Sequence, residues 1–98
     1  MNYSFTIPAS HPSLKGHFPG NPVVPGVVIL DEIINIVAEL KPGYMVSAIP
    51  TVKFTQPLLP EQKVDVTLNE KTDTSISFTC KTTETSLVTG QLTLKSLA

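Results

Sequence analysis

The chain has 98 residues, a formal net charge of −1 and an apolar content of 41%, so one compact domain over residues 1–98 is expected. Its 7 basic side chains are scattered from Lys15 to Lys95, so there is no electrostatic footprint for nucleic acid. The single cysteine, Cys80, excludes an intrachain disulfide and a multi-cysteine metal site, and fits a reducing, cytoplasmic setting.

The opening stretch MNYSFTIPAS has neither a basic region nor a long apolar run, so it does not read as a signal peptide, and a strand is expected near Tyr3–Ile7. From Pro8 to Gly26 proline and glycine are frequent and helix signals few, which predicts a long ordered loop. Leu14, Phe18, Val23 and Val24 favour packing of that loop over solvation. A helix is expected to start near Pro25, where a missing N–H is harmless, and to end at about Leu40, where Lys41-Pro42-Gly43 stops it. Apolar residues from Val27 to Leu40 cover nearly its whole circumference, which predicts burial on most sides. Asp31, Glu32, Asn35 and Glu39 make the same stretch too polar to cross a membrane.

Strands are then expected from Met45 to Gln56, from Lys63 to Glu70, from Ser75 to Thr83, and through Val88, Leu92 and Leu94. Short connections at Pro57–Pro60, Lys71–Thr74 and Glu84–Ser86 predict that the last three follow the first as an antiparallel meander, with Gly90 marking a bulge. One apolar helix with about five strands is an α+β arrangement in which a curved sheet wraps the helix. So few residues cannot cover such a helix fully, and a second copy is expected to complete the core.

The chemistry concentrates in Gly16-His17-Phe18-Pro19-Gly20-Asn21-Pro22-Val23-Val24-Pro25-Gly26-Val27-Val28-Ile29-Leu30-Asp31. A lone loop histidine is commonly structural, but a near-neutral imidazole such as His17 can also serve as a general base. Asp31 falls in the second turn of an apolar helix. If it is buried, desolvation favours its proton-bearing form and it can act as an acid; the other reading is a polar edge shared with Glu32. Asn35, one turn on, can orient that carboxyl group or a substrate, or be an ordinary surface amide. Gly26 at the helix start can let a carbonyl oxygen approach backbone N–H groups. His11 is given a structural role and Cys80 a place in the core, and no glycine-rich phosphate loop or metal motif is present.

The segment HPSLKGHFPGNPVVPGVVILDE resembles the signature of the β-hydroxyacyl-acyl-carrier-protein dehydratases of bacterial fatty-acid synthesis, and Val52-Lys53-Phe54 with Pro57 and Pro60 resembles that family's next strand and turn. The resemblance implies a hot-dog fold whose dimer forms an acyl tunnel, without a cofactor or metal. It implies that His17 of one subunit faces Asp31 of the other. His17 would take a proton from C2 of a (3R)-hydroxyacyl thioester, and Asp31 would help the C3 hydroxyl leave as water. Phe18, Pro25, Gly26, Val27 and Asn35 are the candidate substrate-binding residues, and Lys15 is a candidate contact for the carrier protein. Two positions depart from the common branch, Asp31 replacing Glu and Asn35 replacing Gln. The short chain looks more like compact dehydratase-like proteins of polyene or specialised lipid pathways. Two other readings follow from the same fold: a thioesterase, distinguished by a free acid product, and a non-catalytic acyl-binding subunit paired with a longer homologue.

Overall fold

A computed structural model describes residues 1–14, 23–83 and 85–98. Strand β1 (Asn2–Thr6) leads through a short 3-10 turn at Pro12–Leu14 toward helix α1 (Gly26–Leu40). Four strands follow: β2 (Tyr44–Phe54), β3 (Lys63–Thr72), β4 (Ser75–Lys81) and β5 (Ser86–Ser96). All pair antiparallel in one sheet of order β1-β3-β4-β5-β2. The arrangement is the hot-dog fold, α+β, with one helix against a five-stranded sheet.

Strand order corrects the simple meander. β3, β4 and β5 do follow one another, but β2 lies beyond β5 at one edge while β1 takes the other, beside β3. The link from β2 to β3 therefore crosses from one side of the sheet to the other. Leu58 in this crossover is 1% exposed, and its carbonyl accepts a hydrogen bond from the Val24 amide at 2.8 Å. Glu61, at φ 71 in a region few non-glycine residues enter, donates its N–H to the Ile7 carbonyl and accepts from the Ala9 amide through its carboxylate. The crossover thus grips the chain both just after β1 and just before α1.

Gly90 corrects the expected bulge. It pairs in regular register with Phe78 on one side and Val52 on the other. A Cβ at Gly90 would lie 2.5 Å from the Thr51 carbonyl oxygen and 2.7 Å from the Phe78 ring, so the glycine makes room for close packing rather than an extra residue. The irregularities fall elsewhere: in the β3–β4 pair between Glu70 and Thr72, in the β4–β5 pair between Cys80 and Lys81, and in β2 between Val46 and Ala48 and between Ala48 and Thr51. Pro50 lies in that interval, where an edge strand tolerates its missing N–H.

The core is a single cluster of buried aliphatic residues with Phe78 and Cys80, drawn from one face of α1 and the inner faces of β3, β4 and β5. Helix α1 contributes Val28, Ile29, Ile33 and Val37, with Leu30, Ile36 and Leu40 on the flanks. The helix is therefore not buried on most sides: Val27 is 63% exposed, and Asp31, Asn35, Ala38 and Glu39 are exposed as well. Helical periodicity counts apolar side chains, and this sheet is broad enough to cover only one stripe of them.

At its C-terminal end α1 is closed by Lys41, whose amide bonds the Val37 carbonyl. The Lys41 ammonium donates to the Asp73 carbonyl at 3.0 Å, sits 3.8 Å from the Glu70 carboxylate and lies over the Tyr44 ring. One side chain so ties the helix end to the β3–β4 turn. Among the described residues no helix is long and apolar enough to cross a membrane.

Cys80 occupies the core position expected of it, fully buried, and burial pushes its thiol up from 9.0 to about 12. The folded state holds this proton more tightly than the unfolded chain, so its contribution is complete below pH 9 and is lost as the pH rises toward about 12. Urea midpoints followed through that alkaline window should fall more steeply for the native chain than for Cys80→Ala. Parallel curves would mean that the thiol exerts no such effect.

Candidate active site

The N-terminal end of α1 borders a cleft of about 420 Å³ enclosed by Val23, Val24 and Gly26 on one side and by Phe54 and the crossover up to Leu58 on the other. Pairing of Phe54 with Val88, whose side chain is in the core, directs the Phe54 ring to the helix side of the sheet. There it meets Gly26, where an added Cβ would stand 2.7 Å from the ring. The glycine is needed for this approach. Pro25 is extended at φ −60 and ψ 143, and no side chain among the described residues caps the helix start. Backbone N–H groups of the first turn are left directed at this end of the cleft, where the helix dipole favours negative charge.

Val27, Asp31 and Asn35 follow at four-residue spacing and share one exposed face of α1. At 100° per residue Asp31 lies at the middle of that face, opposite the stripe formed by Ile29, Ile33 and Val37. Its carboxyl group therefore points away from the core of its own chain. The reading of Asp31 as buried does not hold within a single subunit, because the sheet lies on the helix's other side. Glu32, its neighbour, is half-buried.

His17, Phe18 and Lys15 lie outside the described residues. On either side of them, Leu14 is 7% and Val24 3% exposed. His11 opens the 3-10 turn, its carbonyl accepting from the Leu14 amide at 3.0 Å. Of the candidate substrate-binding residues, Gly26 borders the cleft beside Pro25, whereas Val27 and Asn35 accompany Asp31. Phe54 joins the site from outside the set of candidates. Its signal in the sequence was an aromatic residue at the end of a strand just before Pro57, but its contact with Gly26 depends on β2 being the edge strand next to β5.

The family model for ApeI-like proteins, described as ApeI dehydratase, matches residues 1–91. The chain is 38% identical over 61 residues to the 3-hydroxyacyl-[acyl-carrier-protein] dehydratase FabZ of Proteus mirabilis, covering 52% of this chain and 41% of that protein. It spans about half the length of the curated relatives it matches. Among solved structures, a chain of the dehydratase heterocomplex ApeI:P from Xenorhabdus doucetiae superposes with a TM-score of 0.84 at 25% identity, over 95% of this chain and 84% of that one. The fluoroacetyl-CoA-specific thioesterase FlK shares the fold, with a TM-score of 0.69 at 17% identity over 99% of this chain and 90% of that one.

Proposed function

The chain belongs to the ApeI-like dehydratase family, and on that premise we propose that it removes water from a (3R)-hydroxyacyl thioester carried on an acyl carrier protein. The product is the trans-2-enoyl thioester, and the setting is lipid synthesis of the fatty-acid or polyene type. His17 takes the C2 proton as general base. The electron pair moves toward the thioester carbonyl, whose oxygen is stabilised by backbone N–H groups at Gly26 and the helix dipole. The pair then returns to form the C2–C3 double bond as the C3–O bond breaks, and Asp31 gives its proton to the departing hydroxyl. Asn35 orients the Asp31 carboxyl group from one turn away.

The observation that carries this reading is the position of Asp31, an acidic group at the centre of a helix face that its own chain leaves open. A carboxyl group that is to deliver a proton benefits from being covered, and the described residues of its own chain leave Asp31 exposed, which favours cover by a second subunit. Three large exposed hydrophobics, Val27 on α1 and Val52 and Phe54 on the helix side of β2, lie around the same side. A second subunit placed there buries them and brings its own His17 segment to Asp31. Similarity to a chain of a heterocomplex supports a homologue as well as a second copy in that place.

Mass spectrometry of a 3-hydroxyacyl carrier protein incubated with the purified protein tests the reading. Loss of one water is expected with the native chain and not with His17→Ala or Asp31→Asn, each of which should keep the native circular dichroism. Undiminished water loss in both variants would sink the assignment, and a free acid product would replace it with a thioesterase.

A further inference from the structure

Glu61 follows Pro60 in the turn that ends the crossover and stands at φ 71, a conformation that glycine enters freely and glutamate only under strain. We propose that Glu61 is a positioning residue for the dehydration, its carboxylate fixing to the crossover the start of the stretch of chain that carries His17. The inference rests on the dehydratase reading and deepens it.

A strained backbone persists where its surroundings hold it, and such positions gather at functional sites. The Glu61 amide donates to the Ile7 carbonyl at 2.8 Å, and the Glu61 carboxylate accepts from the Ala9 amide at 2.6 Å. Glycine would keep the first bond without strain. The second needs a side chain. It is made in the open, where a hydrogen bond adds little to stability, so its use lies in where it holds Ala9. From Ala9 the restraint continues along the backbone: the His11 amide donates to the Pro8 carbonyl and the Leu14 amide to the His11 carbonyl, each at 3.0 Å, and the Leu14 side chain is buried. Leu14 stands three residues before His17 in the chain. After His17 the same crossover takes hold again, the Leu58 carbonyl accepting from the Val24 amide at 2.8 Å. Residues 58–61 therefore set both ends of the stretch on which the base is carried. A general base must lie within hydrogen-bond reach of the proton it takes, and a misplacement of about 1 Å can slow a reaction by about 10²-fold.

Two variants break the bond from opposite ends. Glu61→Gly removes the acceptor and relieves the backbone, so its urea midpoint should stay near that of the native chain. Ala9→Pro removes the donor and suits the turn closed by His11 on Pro8, in which Ala9 holds the second place without a positive φ. Each should lower kcat about tenfold on a 3-hydroxyacyl carrier protein and leave KM within about twofold, the pattern of a misplaced catalytic group. The double variant should be no slower than either single one, because one bond is lost in all three. Glu61→Gln keeps an oxygen for the Ala9 amide and should retain at least about half of native kcat. Hydrogen exchange reads the anchor without turnover: the Leu14 amide should exchange about tenfold faster in Glu61→Gly than in the native chain or Glu61→Gln. Native kcat in both single variants, additive losses in the double one, or a Glu61→Gln as slow as Glu61→Gly would overturn the inference. Faster Leu14 exchange in a protein that removes no water would keep the anchor and remove the dehydratase reading instead.

Discussion

Co-assembly of His17→Ala with Asp31→Asn subunits, each inactive by itself, is expected to restore about a quarter of native turnover if the pair is shared across a symmetric dimer. Random pairing makes half of the dimers mixed. In each mixed dimer one site joins an intact His17 to an intact Asp31, and the other joins the two defects. The single variants should fall by about 10²–10⁴-fold, the usual contribution of a positioned acid or base, so recovery to a quarter stands far above the background. The structural reason is the direction of Asp31, which faces away from its own core at the middle of the open side of α1. Coexpression of two tagged chains and purification through both tags isolates the mixed species, which should then show half of native activity per dimer. No recovery would mean that His17 and Asp31 act within one chain.

The largest effect on stability is expected from Phe78→Ala. Phe78 is 1% exposed at the centre of the sheet, and its ring covers the inner side of Gly90 on the neighbouring strand. Removing the ring leaves a space that Gly90 has no side chain to fill, so the cost should be about 3–5 kcal/mol. Against a total of about 5–15 kcal/mol for a domain, this is a large fraction. Urea denaturation followed by circular dichroism should show a midpoint shift of that size with little change in slope. A loss below about 1.5 kcal/mol, typical of swaps that conserve volume, would mean that the neighbouring strands close over the gap.

The helix and all five strands were legible in the sequence because each is written in local periodicity, such as Val64, Val66 and Leu68 alternating in β3 or the stop at Lys41-Pro42-Gly43 after α1. The neighbours of each strand were not. Alternation says which face of a strand is apolar and nothing about what lies beside it, so the places of β1 next to β3 and of β2 next to β5 became visible only in the fold. The same limit explains Gly90, whose role is set by a ring on another strand, and Phe54, whose contact with Gly26 spans the helix and the sheet edge. For the site, the shared face of Val27, Asp31 and Asn35 follows from helical spacing alone. The exposure of that face does not, because an apolar pattern looks the same whether the chain itself or a partner covers it.

The order of the strands also bears on how the protein is made. β5 is the last of the five to be synthesised, yet it lies between β4 and β2 and joins the hairpin to the edge that carries α1. Until it leaves the ribosome, β2 has no neighbour in the sheet. β3 and β4 can pair early, since their residues are close in sequence, whereas the β1–β3 and β2–β5 pairs must close long stretches of chain. Val27 to Leu40 is made well before β5 completes the sheet, so a chaperone holding that apolar segment has something to bind while β2 still lacks its neighbour.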